Sequence, residues 1–175
     1  RPAGDLPQFV RYAQDRGWDV CVIATPSGMK FLDPGPLAGL TGHPVRCDYK
    51  RPDEPDVLPP PNAFVVAPAT FNTINKLAAG ISDTLALGLL NEAVGTGLPT
   101  IAVPFPNQML ARHPVFVSSI STLRSWGVRL ISIRIGTRCR YPIRESQATP
   151  CSPGGQPGKN CVTCRRLSLA ECSAG

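Results

Sequence analysis

The sequence lacks the long apolar run that a membrane-spanning helix requires. Its apolar runs are all far shorter than the ~20 residues of such a helix, although apolar residues make up 42% of the chain. It also lacks a basic segment followed by an apolar stretch at its beginning, so we predict no secretion signal. These absences favour a cytoplasmic protein that does not associate with membranes.

Charge is also scarce, at 17% of the residues, and the net charge of +6 is unevenly distributed. Residues 1–135 contain 12 Lys and Arg against 10 Asp and Glu, whereas residues 136–175 contain 6 against 2. Because most of the chain is nearly neutral, the composition argues against a nucleic-acid-binding surface.

Cysteines follow the same division of the chain. Cys21 and Cys47 lie in the first part, and the other five of the seven lie between residues 139 and 172. Without a secretion signal, the first two are expected to be reduced thiols. From Gly136 onward Pro, Gly, Ser, Arg and Cys dominate without amphipathic periodicity. We therefore predict one folded domain over residues 1–135 and a disordered tail over residues 136–175.

Within the tail, Cys161 and Cys164 have the C-x-x-C spacing of a zinc knuckle or a redox dithiol. The usual loop lengths of a zinc ligand set are not apparent, and no strand–helix context supports a redox site. An unstructured or aberrant tail is the favoured interpretation, and no metal site is predicted.

Apolar runs alternate with helical periodicity in the first part. The runs cover residues 19–26, 63–69, 99–106 and 127–135, and helical spacing covers residues 6–16, 70–79, 82–94 and 107–126. Nearly continuous apolar runs are typical of strands covered on both faces. The pattern predicts an α/β fold, a Rossmann-like (flavodoxin-like) parallel sheet flanked by helices. Since the chain opens with a helix, the first strand of that sheet is expected to be missing.

Hydroxyl and amide side chains follow two of the predicted strands. Thr70, Asn72 and Thr73 come after the strand at 63–69, and Thr25 and Ser27 come after the strand at 19–26. Parallel sheets bind ligands beyond the carboxyl ends of their strands, and free N–H groups at a helix start suit anions. The same residues could equally be caps of buried helices, and spacing alone leaves both interpretations open.

The segments PATFNTINKLAAGISDTLALGLL, GWDVCVIATPSGMKFLD and GLPTIAVPFPNQMLARHPVF, within residues 6–130, resemble the homo-oligomeric flavin-containing cysteine decarboxylases. That family includes phosphopantothenoylcysteine decarboxylase and the lantibiotic-processing decarboxylases, with flavin prenyltransferases as distant relatives. The resemblance implies bound FMN. It implies that Thr25 and Ser27 lie near the phosphate, that Phe31 lies beside the flavin, and that Ala69, Thr70, Asn72 and Thr73 line the isoalloxazine and ribityl chain.

Two departures from the family pattern affect the expected chemistry. The family His before the second segment corresponds to a position near Glu54, and residues 48–62 contain no His. Asp53, Glu54 and His43 are alternatives that are better explained as surface residues. The family motif Pro-x-Met-Asn-x-x-Met-Trp keeps Pro104 and Asn107 but has Pro106 for the first Met and Leu110-Ala111 for Met-Trp.

We therefore predict an FMN-binding flavoprotein, a decarboxylase-like enzyme with an unassigned small-molecule or peptide substrate. Asn107 is the predicted catalytic residue, and His113 is a weaker candidate. The alternative is a non-catalytic flavin-binding paralogue or regulatory subunit; a flavin prenyltransferase is less favoured. Because Leu85, Leu87, Leu89, Leu90 and Val94 surround most of one predicted helix, a homotrimer or larger assembly is expected.

Overall fold

A parallel three-stranded sheet lies at the centre of the fold. The computed structural model describes residues 2–51, 53–55, 57–131, 134–135 and 138–139. The strands are β1 (Phe64–Ala69), β2 (Thr100–Pro104) and β3 (Arg129–Leu130), in the order β1-β2-β3. A two-residue antiparallel pair follows, β4 (Arg134–Ile135) with β5 (Arg138–Cys139).

In the part of the chain that the structure describes, two helices precede β1 and four connect the strands of the parallel sheet. They are α1 (Leu6–Gln14), α2 (Pro34–Thr41), α3 (Phe71–Ala78), α4 (Leu85–Thr96), α5 (Gln108–Ala111) and α6 (Pro114–Ser125), with 3-10 turns at Pro2–Asp5 and Gly28–Phe31. Each pair of neighbouring parallel strands is thus joined through two helices, α3 and α4 or α5 and α6. The predicted α/β fold with a parallel sheet is confirmed.

The hydrophobic core lies between this sheet and the helices that follow it. On α3, Ile74 and Leu77 are each 1% exposed, as expected for apolar residues three apart on one helix face. They pack with residues from α4, α6, the strands and the turn before β3, namely Ala69, Leu87, Leu90, Ala102, Phe116, Leu123 and Val128. The core therefore holds the carboxyl ends of β1 and β2 and the start of α3 in fixed positions.

The prediction of a strand over residues 19–26 is wrong. The segment forms only an isolated parallel bridge, Ile23 with Arg46, in which Ala24 N–H donates to the Arg46 carbonyl (2.8 Å) and Arg46 N–H donates to the Val22 carbonyl (3.1 Å). The ladder cannot continue toward the start of the partner segment because Pro44 has no N–H to donate.

Helix α2 was not predicted, because its sequence, PGPLAGLT, is rich in Pro and Gly. It forms because both of its ends carry favourable residues. The Asp33 carboxylate accepts a hydrogen bond from Gly35 N–H (3.3 Å), and Pro34 occupies the first turn, where its missing N–H costs nothing. Gly42 closes the helix at φ 75°, a left-handed conformation that glycine adopts without strain.

Among the described residues, no strand precedes α1. In the same part of the chain, no helix has the length and apolar character needed to cross a bilayer. The predicted tail, residues 136–175, lies outside the described residues except for the backbone of Arg138–Cys139. Cys161 and Cys164 likewise lie outside the described residues.

Candidate functional site

A cavity of about 220 Å³ opens where β1 and β2 end. Its lining comes from the residues that directly follow the two strands: Thr70, Phe71 and Asn72 after β1, and Phe105, Pro106, Asn107 and Leu110 after β2. Carboxyl ends of adjacent parallel strands are the usual ligand site of open α/β sheets. The structure thus brings Thr70, Asn72 and Asn107 together around one cavity.

Thr70 organises the first side of the cavity. As the N-cap of α3, its hydroxyl oxygen accepts a hydrogen bond from Thr73 N–H (3.3 Å) and lies 3.0 Å from the Thr73 hydroxyl. Asn72, in the first turn of α3, is exposed. This helix start presents hydroxyl, amide and backbone N–H groups to a ligand at the mouth of the cavity.

Asn107 forms the opposite side, with its two amide atoms in separate roles. Its Oδ1 accepts a hydrogen bond from Leu110 N–H (2.9 Å) and so caps α5. Its Nδ2 has no hydrogen-bond partner among the described residues, and Asn107 is exposed. The cap therefore fixes the side chain while its NH2 group stays available as a donor to an acceptor in the cavity.

Phe71 is the aromatic wall that links the cavity to the core. Its ring stacks on Phe116 (centroids 5.6 Å apart, 17° between planes) and meets the His113 ring edge to face (5.6 Å, 84°). Sequence reasoning did not identify Phe71, Phe105, Pro106 or Leu110 as lining residues. Their positions immediately after two strand ends were the available signal, but they carry no chemically distinctive groups.

The other predicted cofactor residues are placed differently. Ala69 is 0% exposed within the core, and its carbonyl accepts a hydrogen bond from Phe105 N–H (2.8 Å). Thr73 lies in the first turn of α3, three residues after Thr70. Neither of them lines the cavity.

Thr25, Ser27 and Phe31 form a separate group around the turn Gly28–Phe31 and do not line the cavity either. The Thr25 hydroxyl accepts a hydrogen bond from Gly28 N–H (3.0 Å), which leaves its own proton free to be donated. The Ser27 side chain makes no capping bond, and Ser27 and Phe31 are exposed. Two hydroxyl donors thus lie two residues apart on one exposed loop.

Candidate acid–base groups lie away from the cavity lining, which carries no charged side chain. His43 Nε2 is 2.7 Å from Asp19 Oδ1, near the end of α2. Glu54 accepts a hydrogen bond from Arg51 N–H (3.1 Å) within the exposed connection before β1. His113 is nearer, through its contact with Phe71. No group of three or more metal-ligating side chains occurs in the described ranges.

The lining residues fit a planar, polar-edged heterocycle such as a flavin. Phe71, Phe105, Pro106 and Leu110 supply flat or apolar surface, and Thr70 and Asn72 supply hydrogen-bonding groups at its edge, while Asn107 leaves its NH2 group available to a second ligand. Such a mixture of apolar walls and few polar groups is typical of cofactor pockets.

Comparison with known proteins agrees with this chemistry. The model of the family described as Flavoprotein matches residues 5–150. The probable phosphopantothenoylcysteine decarboxylase of Streptococcus mutans is 27% identical over 121 residues, which cover 66% of this chain and 67% of that protein. The coenzyme A biosynthesis bifunctional protein CoaBC of Bacillus subtilis is 34% identical over 113 residues, 61% of this chain but only 27% of that protein.

Solved structures share the fold. The FMN-dependent cysteine decarboxylase TvaF from thioviridamide biosynthesis superimposes with a TM-score of 0.64 at 25% identity, covering 73% of this chain and 80% of that chain. The epidermin biosynthesis protein EpiD from Staphylococcus aureus gives a TM-score of 0.56 at 27% identity, covering 73% and 74%.

Proposed function

Because this chain belongs to the Flavoprotein family, we propose that it binds FMN and acts as a flavin-dependent, decarboxylase-like enzyme on a small-molecule or peptide substrate. The observation that carries the proposal is the cavity at the ends of β1 and β2, where Thr70, Asn72 and Asn107 converge beside Phe71 and Phe105. The relatives named above, a probable phosphopantothenoylcysteine decarboxylase and an FMN-dependent cysteine decarboxylase, support a thiol-containing carboxylic acid as the substrate class.

The described residues would divide the work of binding. Thr70, Asn72 and the free N–H groups at the start of α3 would hold the polar edge of the ring system, with Ala69 and Thr73 shaping that segment behind them. The hydroxyls of Thr25 and Ser27 would donate hydrogen bonds to the phosphate, and Phe31 would lie beside the rings. Bound FMN would accept the electrons that leave the substrate, while the NH2 group of Asn107 would orient the substrate's carboxylate.

The test is the flavin content of the purified protein. We expect the absorption spectrum of an oxidised flavin and, after removal of the cofactor, calorimetric binding of FMN that is tighter than that of riboflavin. Thr25→Val with Ser27→Ala should weaken FMN binding and leave riboflavin binding unchanged, because only FMN carries the phosphate. Asn72→Ala should weaken both ligands. Colourless protein that gives no heat with either ligand contradicts the proposal.

A non-catalytic flavin-binding protein is the second candidate. It is favoured by one observation: none of the seven lining residues has a side chain that titrates near neutral pH. Stoichiometric FMN without flavin reduction or carbon dioxide release from cysteine-terminated peptides would support this candidate and contradict catalysis.

We also propose a homo-oligomer, a trimer or larger. On α4, Leu87 and Leu90 are buried in the core and Val94 packs against it, but Leu85 and Leu89, four residues apart on one helix face, remain partly exposed, which leaves apolar surface for another subunit. A single monomeric species in light scattering at micromolar concentration would contradict this. The free thiols Cys21 and Cys47 fit the reducing cytoplasm, where we place the protein.

A further inference from the structure

The chain has two histidines, and they lie in different surroundings. His43 Nε2 is engaged by the Asp19 carboxylate. His113 lies next to the cavity: it follows α5, its backbone N–H donates to the Leu110 carbonyl (3.1 Å), and its ring contacts Phe71. Leu110 and Phe71 both line the cavity. His113 is therefore in contact with two of the residues that line the cavity, Leu110 through its backbone and Phe71 through its ring.

The backbone fixes the tautomer of His113. Its Nδ1 accepts a hydrogen bond from Val115 N–H (3.2 Å), because His113 is the N-cap of α6. An accepting Nδ1 has no proton, so the neutral ring carries its proton on Nε2. Nε2 has no hydrogen-bond partner among the described residues, and His113 is exposed. The cap thus holds a ring whose remaining polar atom is a free donor.

We infer that His113 determines specificity, its Nε2–H donating a hydrogen bond to the carboxylate of the substrate alongside Asn107 Nδ2. This rests on the proposed function. A carboxylate oxygen accepts strong hydrogen bonds from such donors, and no acidic side chain in the cavity lining repels it. Two donors, on Asn107 and His113, are supplied six residues apart because α5 is a single turn between two capping residues.

A matched pair of probes tests the inference. N-acetyl-L-cysteine carries the carboxylate, and N-acetyl-L-cysteinamide replaces it with a neutral amide. With the FMN-loaded protein, we expect calorimetry to show at least tenfold tighter binding of the carboxylate probe, the size expected for hydrogen bonds to a charged group. Equal affinities, or no binding of either probe, overturn the inference while FMN binding itself remains intact. Absence of FMN binding would instead overturn the proposed function.

Variants separate specificity from capping. Ser is a good N-cap residue that carries no N–H group in its side chain, so His113→Ser should keep α6 and the melting temperature but show a several-fold smaller preference for the carboxylate probe. If His113 only caps the helix, His113→Ser will retain the full preference, and the inference is wrong. His43→Asn is the matched control, because it removes the other histidine from a position outside the cavity.

A second measurement does not need the cofactor. Nitrogen-15 NMR of the two imidazoles, assigned with His43→Asn, should show the Nε2–H tautomer for His113 at neutral pH. Titration with N-acetyl-L-cysteine should shift the His113 nitrogens and leave those of His43 unchanged. An Nδ1–H tautomer at His113, or equal shifts at both rings, contradicts the inference.

Discussion

At the scale of single residues, Asn107 shows how one side chain can serve both the fold and the site. Its Oδ1 caps α5, and only its NH2 group remains for a ligand. The two roles can be separated because Ser and Asp also cap helices well, but neither offers an NH2 group.

We expect Asn107→Ser and Asn107→Asp to keep the melting temperature and to bind N-acetyl-L-cysteine at least several-fold more weakly. Asp should be the worse of the two, because its charge repels a carboxylate. A lost hydrogen bond of ~1.5 kcal/mol corresponds to roughly tenfold. Asn107→Ala should additionally lose about 1 kcal/mol of stability with the cap. Calorimetry on FMN-loaded protein decides: full affinity in Asn107→Ser would reduce Asn107 to a capping residue.

A second residue-scale prediction concerns Cys21. Burial and, secondarily, the negative charge of Asp19 raise the pKa of the Cys21 thiol. Its thiolate fraction near neutral pH is therefore smaller than in the unfolded chain, and alkylation by iodoacetamide should be slower in the native protein than in urea. Since the folded-state pKa is the higher one, the thiol's contribution to stability is lost as pH rises through its titration.

Mass mapping of the alkylated peptides gives the rate at each cysteine. Asp19→Asn should speed the reaction at Cys21 and leave Cys47 unchanged, because burial and then Asp48 raise the pKa of Cys47. Equal native and denatured rates at Cys21 would show that its pKa is not raised.

At the scale of elements, the connection before β1 is fastened to α4 by Tyr49. The Tyr49 hydroxyl donates to the Thr84 carbonyl (3.2 Å), and the ring rests on Gly88, where any Cβ would overlap the Tyr49 hydroxyl. Gly88 is buried in the middle of a helix, a position where glycine costs about 1 kcal/mol relative to alanine. The glycine is explained by the space that Tyr49 needs.

We therefore expect Gly88→Ala to displace Tyr49, which is 58% exposed and free to swing outward. The connection should then be cut by trypsin after Lys50 several-fold faster, while overall stability changes little because the gained helix propensity offsets the lost contact. Gly95→Ala is the matched control in the same helix, since nothing lies within 4 Å of its Cβ. It should stabilise the protein and leave the cleavage rate unchanged.

Elements were predictable where apolar periodicity was strong. The segments that became β1, β2, α3 and α6 carry it, and Gly80, at φ 69°, lies between α3 and α4. Helix α2 escaped prediction because Asp33 and Gly42 end a stretch that composition alone would assign to a loop. The segment at 19–26 has strand-like composition, but a strand also depends on the segment with which it pairs. Here Pro44 in the partner segment limits the pairing.

For the site, the sequence singled out part of what lines the cavity, whereas the predicted strand end at residues 19–26 contributes none of the lining residues. Thr70, Asn72 and Asn107 stand out because they are polar at strand ends. Phe71 stands out only through its contacts with His113 and Phe116 in the folded structure. Both of these residues lie 42 or more positions later in the chain. Such long-range contacts leave no local pattern.

At the scale of the whole molecule, one part of the chain has many backbone hydrogen bonds between its strands, and another part has few. Strands β1, β2 and β3 form one parallel sheet over a common core. Within residues 19–47 the two extended segments are joined by one backbone bridge with two hydrogen bonds, Ala24 to Arg46 and Arg46 to Val22, and by the side-chain contact of His43 with Asp19. The proposed cofactor residues fall on both parts: Thr25, Ser27 and Phe31 on the second, Thr70 and Asn72 on the first.

The small number of backbone hydrogen bonds in residues 19–47 predicts where the protein opens locally. Amide hydrogens at Ala24 and Arg46 should exchange with deuterium orders of magnitude faster than those of the central strand β2, because few bonds must break to expose them. A ligand that contacts both parts would suppress this opening, so FMN should slow exchange across residues 19–47 far more than across β2. Uniform protection in the cofactor-free protein would contradict this, and so would equal slowing of both regions. If the expected slowing is observed, the cofactor stabilises the contact between two regions of unequal local stability.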